Sequence, residues 1–177
     1  MATFLYNIFM KKLLDTIKDL AEILIISTFI VFVCFKFLFI SSQVVGSSMD
    51  PALVDGDRGF SFIITKNIGI NRFDICVIEA PEGEKLIVKR VIGLPNDKIE
   101  YKDNELYING EKYEEPYLID CVTNDFSISL GDDEYYCLGD NREISKDSRY
   151  YGPFKSNEIK STKFLRIYPF NKFGIIK

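Results

Sequence analysis

Ser48, in the segment Ser48-Met49-Asp50-Pro51 with Leu53 close behind, lies just beyond the only membrane-length apolar run of a 177-residue chain. That chain contains no histidine. A serine hydroxyl is a weak nucleophile and needs a positioned base to take its proton. A Ser-His-Asp arrangement is therefore impossible here. If Ser48 attacks anything, its base is a lysine, a carboxylate or a group from outside the chain.

An ordinary lysine has a pKa of about 10.4 and is protonated at neutral pH. Burial in an apolar site disfavours the ammonium and lowers that pKa by as much as several units. The lysine to look for lies in a strand-like apolar stretch with no adjacent acid. Lys89, in LIVKRVIGL (86–94), fits best. On a strand Ile87, Lys89 and Val91 share one face and Val88, Arg90 and Ile92 the other, so Lys89 can enter an apolar site while Arg90 faces elsewhere. The same pattern also suits a solvent-facing charge. A third polar cluster runs from Gly139 to Arg149, followed by Tyr150, Tyr151 and Gly152. It reads either as a solvated loop or as a scaffold in which Ser145 orients the lysine amine and an Asp147–Arg149 pair fixes the loop. Composition does not choose between the two.

Short strands must position these groups. Gly59–Thr65, Asp74–Ala80 and Leu86–Leu94 are rich in β-branched and aromatic residues. Asp97–Tyr101 and Glu105–Ile108 follow. Asn109-Gly110 between strand-like flanks predicts a hairpin, because both residues tolerate the positive φ of a type I′ turn. Glu134–Leu138 and Lys163–Tyr168 complete the set. Beyond Ile40 no helical periodicity of ten residues appears; at most a turn is expected near Ser145–Tyr150 or Ser156–Ile159. The reading is mostly β: an N-terminal transmembrane helix followed by an antiparallel β-rich domain.

The run Leu20–Ile40 suffices to cross a bilayer if Glu22 and Lys36 reach the two interfaces. Lys11, Lys12 and Lys18 precede it, and only Arg58 falls among the twenty residues after it. The positive-inside rule then keeps the N-terminus cytoplasmic. The expected division is a cytoplasmic segment 1–19, an anchor 20–40 and an extracytoplasmic domain 41–177. Segment 1–19 has helical apolar spacing and either extends the anchor or lies along the inner interface. A sequence pI near 5.0 argues against a nucleic-acid partner. The four cysteines show no CxxC spacing and no histidine stands near them, so no metal site is expected. Free thiols are favoured over a Cys121–Cys137 bridge.

Taken together, the clusters resemble the type I signal peptidases, membrane-bound Ser-Lys proteases that remove signal peptides from exported preproteins. The family's nucleophile box, Ser-Met-x-Pro-Thr-Leu then Gly-Asp, is matched by Ser48 to Leu53 and by Gly56-Asp57. Its Arg-x-Asp is matched by Arg72-Phe73-Asp74, and its lysine box by Lys89 to Asp97. Its Gly-Asp-Asn-Arg-x-x-Ser-x-Asp-Ser-Arg box is matched in full by Gly139 to Arg149, and Tyr168–Gly174 resembles its C-terminal stretch. Ala52 stands for the usual Thr, Asn96 for the usual Gly, and Gly46 where some relatives place an oxyanion-binding Ser.

The resemblance implies a signal-peptidase-type catalytic domain in which Ser48 is nucleophile and Lys89 base. Ser145 would help position the amine, while Asp140, Asp147 and Arg149 hold the last box. Val44, Val45, Met49, Leu53, Ile87 and Val88 are candidates for lining shallow pockets for small side chains, and each is equally suited to core packing. The implied partners are preprotein signal peptides and the lipid bilayer, with no nucleic acid, metal or cofactor. Two rival readings are a self-cleaving Ser-Lys protease of the SOS repressor type, which is soluble, and a membrane-anchored non-catalytic β domain acting in secretion.

Overall fold

No glycine or proline interrupts residues 2–45, and the chain there opens with one long helix. The computed structural model describes residues 2–81, 86–119 and 122–176. It divides into two units, 1–38 and 39–177. The first unit is the helix α1 (Ala2–Leu38). Its large apolar side chains, among them Leu24, Phe29 and Phe32, are exposed, and Tyr6–Leu38 is long and apolar enough to cross a membrane. Ser27 returns its hydroxyl to the Leu24 carbonyl, which removes a polar group from an apolar surface. Residues 2–19 continue the same helix. At the other end Phe39 and Ile40, assigned above to the anchor, are strand.

The second unit is built from β1 (Phe39–Gln43), β2 (Arg58–Phe62), α2 (Thr65–Ile68), β3 (Ile75–Glu79), β4 (Leu86–Gly93), β5 (Lys98–Lys102), β6 (Glu105–Ile108), β7 (Glu111–Tyr113), β8 (Phe126–Ser129), β9 (Tyr136–Leu138), α3 (Ser148–Tyr151), β10 (Ile159–Tyr168) and β11 (Gly174–Ile176). The larger sheet runs β1-β2-β10-β3-β4-β9, with β11 also on β10; the smaller runs β7-β6-β5-β8. Neighbours are antiparallel throughout the described ladders. The fold is mostly β, as the patterning predicted. The hairpin falls at Asn109-Gly110, with φ of 56° and 86° and Ile108 opposite Glu111.

Strand alternation sorts β4 between separate cores. Ile92 joins Leu138, Ile99, Tyr101, Leu106 and Ile108 where the two sheets pack. Val91 joins Cys76, Ile78, Cys137 and Phe154 in a second cluster, and Val88 packs on Met49, Leu53, Ile75 and Phe164 in a third. At the end of β4 the chain has no room for a side chain, since a Cβ on Gly93 would overlap Ile99.

The turn after β4 explains one departure from the family's boxes. Asn96 has φ of 67°, a left-handed conformation that glycine adopts freely and asparagine tolerates better than other side chains. Asn96→Gly is therefore expected to leave stability within about 0.5 kcal/mol of the parent, whereas Asn96→Val should cost about 1–2 kcal/mol. Denaturant unfolding of the purified protein, followed by tyrosine fluorescence, checks both.

Candidate active site

The loop that carries Ser48, the expected nucleophile, spans residues 44–57, joins β1 to β2 and is closed at its base. Val44 N–H donates to the Asp57 carbonyl at 2.8 Å, and Gly56 N–H to the Val44 carbonyl at 3.0 Å. Met49 and Leu53, four residues apart and wholly buried, plug the loop into the third core. Arg166, reaching from β10, donates to the Asp57 carboxylate at 3.0 Å and to the Ala52 carbonyl at 3.1 Å. Ser48, at the tip of this plug, remains partly exposed.

Lys89 comes to Ser48 from β4, where Cys76 is its cross-strand partner. It is 3% exposed, and its Nζ lies 2.8 Å from Ser48 Oγ. Among the described residues no carboxylate forms an ion pair with it. Burial lowers its pKa from the ordinary lysine value; Asp147, Cys76 and Asp140 pull it back up only in part. A lysine in this position is disposed to hold its amine neutral, which is what a base for a hydroxyl requires.

Its neighbour Arg90 has the opposite surroundings. It is 1% exposed and binds Asp140 through two bonds, Nε to Oδ1 at 2.8 Å and Nη2 to Oδ2 at 2.7 Å. A third bond runs from Nη1 to the Phe73 carbonyl at 3.0 Å, and the guanidinium sits 4.0 Å from the centre of the Tyr117 ring. Phe73 holds φ of 68°, a costly conformation for a bulky residue, and its carbonyl ends on Arg90. Burial lifts the Asp140 carboxyl above the usual aspartate range despite Arg90.

The polar cluster after β9 is a scaffold rather than a solvated loop. Asp147, fully buried, accepts from Gly139 N–H at 3.0 Å and from Arg149 Nε and Nη2 at 2.9 and 2.8 Å. Burial pushes its pKa up, but Arg149 and the Gly139 N–H outweigh this and hold the carboxyl below the ordinary aspartate value. Arg149 also donates to the Arg142 carbonyl at 2.7 Å. Buried Arg142 in turn bonds the Gly139 carbonyl at 3.0 Å, Glu115 Oε1 at 2.5 Å and the Tyr101 hydroxyl. Asn141 N–H reaches the Ser48 carbonyl at 3.1 Å. Gly139 lies so close that a Cβ there would overlap that carbonyl and Ser145 Oγ. Ser145 Oγ is buried near Asp147, which it biases, but it makes no well-formed hydrogen bond to any described group, Lys89 included.

The expected pocket residues scatter. Val44, Met49 and Leu53 are core, Val45 is 85% exposed, and Ile87 and Val88 are half-buried against different clusters. Cys121 lies outside the described residues. Among the described residues Cys137 has the Cys76 sulfur beside it, at 3.8 Å with both thiols free. Sequence reasoning gave no role to Glu115, Arg142 or Arg166, whose importance rests on contacts remote in the chain.

Comparison with known proteins gives the family. The family described as signal peptidase, peptidase S26, matches residues 17–168. Signal peptidase IB of Staphylococcus aureus (strain Mu50) is 36% identical over 183 residues, covering 92% of this chain and 93% of its own. The chain belongs to the signal peptidase S26 family. Signal peptidase I of Streptococcus pneumoniae is 33% identical over 179 residues, covering 78% of this chain and 86% of its own. The crystal structure of a signal peptidase I from Enterococcus faecalis superposes with a TM-score of 0.50 at 34% identity, covering 52% of this chain and 95% of that one.

Gly46 stands where the resemblance places a serine in some relatives. This residue has φ of 87°, where a serine would be strained, and its N–H is engaged by Asp55 at 2.8 Å.

Burying Lys89 without an ion pair has a thermodynamic signature. A base with a folded pKa below its unfolded value makes the unfolded state the better proton binder between those two values. Stability therefore rises with pH across that window and is lowest below it. Lys89→Met, similar in volume and uncharged, is expected to be inactive yet more stable than the parent at pH 7, by about 1 kcal/mol or more. Its stability should also lose that rise towards pH 10.5. Melting curves of both proteins from pH 6 to 10 measure the difference.

Proposed function

We propose that this chain cleaves N-terminal signal peptides from exported preproteins with a Ser48–Lys89 dyad, acting at the outer face of the membrane. The observation that carries the reading is the 2.8 Å approach of a buried, unpaired lysine amine to a partly exposed serine hydroxyl. Family membership supplies the substrate class.

In the acylation step neutral Lys89 accepts the Ser48 proton as Oγ bonds to the scissile carbonyl carbon. The oxyanion forms against the Ser48 N–H. As the tetrahedral species collapses, the lysinium returns the proton to the departing amine and the peptide C–N bond breaks. Water, deprotonated by Lys89, then attacks the ester, and Ser48 leaves with the proton. Asp140, Asp147 and Arg149 hold the frame around this exchange, and Ser145 borders it. Val45, Ile87 and Val88 keep enough exposure to meet small substrate side chains; Val44, Met49 and Leu53 shape the loop from behind. No metal or organic cofactor takes part in these steps.

The apolar helix serves the same reaction. A signal peptide's apolar segment resides in the bilayer, so an anchored enzyme meets it at a raised effective concentration. The lysines ahead of the span support an extracytoplasmic position for residues 41–177 by the positive-inside rule. A non-catalytic scaffold gives no reason for a dry lysine beside a serine.

Ser48→Ala and Lys89→Ala should each lower preprotein cleavage by about 10²–10⁴-fold or more. For the parent, kcat/KM should rise with pH along a limb whose apparent pKa lies below that of free lysine, because only the neutral amine is competent. Processing retained by either variant, or a limb at the free-lysine value, would remove the dyad from the reaction.

Deleting residues 1–38 should impair cleavage of full preproteins more than that of short soluble peptides. Equal losses on both substrates would remove the tethering argument.

A further inference from the structure

The proposed mechanism leaves unused two buried nucleophilic groups beside its own base. Cys76 and Cys137 are both wholly buried. Cys76 is directly opposite Lys89 on β3, and Cys137 is opposite Val91 on β9. Residues opposite each other in an antiparallel pair point to the same face, so both thiols share the Lys89 face of β4. Their sulfurs meet at 3.8 Å across that strand, and Cys76 Sγ donates to the Lys89 carbonyl at 3.3 Å. The remaining walls are charged or polar. Ser48 approaches from the nucleophile loop, Asp140 follows β9, and Asp147 and Arg149 come from the start of α3.

The backbone keeps these thiols apart even though the sulfurs touch. β3 and β9 flank β4, so the two Cα atoms stand about two strand spacings, roughly 9–10 Å, apart. A disulfide needs a Cα separation below about 7 Å. A thiol is small, weakly polar and a poor hydrogen-bond donor, close to a hydrocarbon in its packing. A hydroxyl of the same shape carries a stronger dipole and solvates an ammonium better. Burial pushes the Cys137 thiol up, which leaves it uncharged beside the amine.

We propose that Cys76 and Cys137 are positioning residues for the base: a permanently reduced thiol pair that walls the Lys89 side chain with dry, weakly polar surface. The proposal rests on Lys89 acting as the base, and it deepens that reading by naming what keeps water from the amine on its strand side. It assigns the pair no redox role.

The test compares Cys76→Ser/Cys137→Ser with Cys76→Ala/Cys137→Ala in the full chain in detergent micelles. The serine pair should move the acid limb of kcat/KM upward by about half a pH unit, a roughly threefold loss below the limb and little above it. The alanine pair should leave the limb in place although it lowers the melting temperature. A purely structural role would lower the rate at every pH alike and move neither limb. Identical limbs in both pairs would overturn the proposal. The single Cys137→Ser and Cys137→Ala variants repeat the comparison should a double variant fail to fold.

The ¹³C resonance of Lys89 Cε, followed against pH in the same proteins, reports the amine whether or not it catalyses. A shifted titration only in the serine pair supports the wall even if Lys89→Ala keeps activity. An unshifted one overturns it while leaving the dyad untouched. Finally, protein treated with oxidised glutathione, then unfolded and alkylated, should show both cysteines alkylated by mass. A Cys76–Cys137 linked peptide would contradict the geometry.

Discussion

An amine held out of water, with no carboxylate among the described residues in ion-pair range, is a demand that the surrounding structure must meet continuously. Left to itself the Lys89 side chain would swing to solvent or draw in an acid, and either outcome would return its pKa to the ordinary range. Both are opposed by fixed groups. Asp140 and Asp147 are close enough to favour the ammonium, yet each is already committed, Asp140 to two bonds from Arg90 and Asp147 to Arg149 and the Gly139 N–H. Much of the buried electrostatics of this fold thus neutralises carboxylates before they can reach the lysine.

Strand alternation makes this possible at minimal sequence distance. Lys89 and Arg90 are consecutive and both buried, but they project to opposite faces of β4. One face offers thiols and Val91, the other a carboxylate, a backbone carbonyl and an aromatic ring. Arginine suits the second face because its planar fork satisfies a carboxylate bidentately and stacks on an aromatic ring. A lysine is the right cation for the first because it is the one that can lose its proton.

What the sequence revealed and what it hid divide along the same physical line. Local pattern was enough for β4 and for the Asn109-Gly110 hairpin, because period-two alternation and turn chemistry are properties of neighbouring residues. β1 was missed because its Phe39 and Ile40 continue an apolar run that a membrane helix also requires. β8 was missed because FSIS is half polar and takes its place only by pairing with β5. Glu115 was beyond reach for a different reason. Its neighbours in the chain are ordinary surface polarity, and its partners Arg142 and Tyr101 arrive from separate elements. Ser145 shows the limit of box-level inference, since it lies within the scaffold while its hydroxyl forms no bond to the amine.

The second sheet can be understood through that same carboxylate. Arg142 is wholly buried, and a buried cation with its partner removed is destabilising by about 3–5 kcal/mol; Glu115 supplies the charge, and Tyr101 and Tyr117 satisfy its oxygens. Arg142 then fixes the Gly139 carbonyl, and the next turn of chain carries Asn141 N–H to the Ser48 carbonyl. Ser48 is accordingly gripped through its backbone from the second sheet's side and through Met49 and Leu53 from the large sheet's side, which leaves its hydroxyl to meet Lys89. Ser48 stays partly exposed while Lys89 is kept from water, and one loop could not do both. The division of labour, with backbone pinned by one polar network and side chain met by a strand from another core, lets the two requirements coexist 2.8 Å apart.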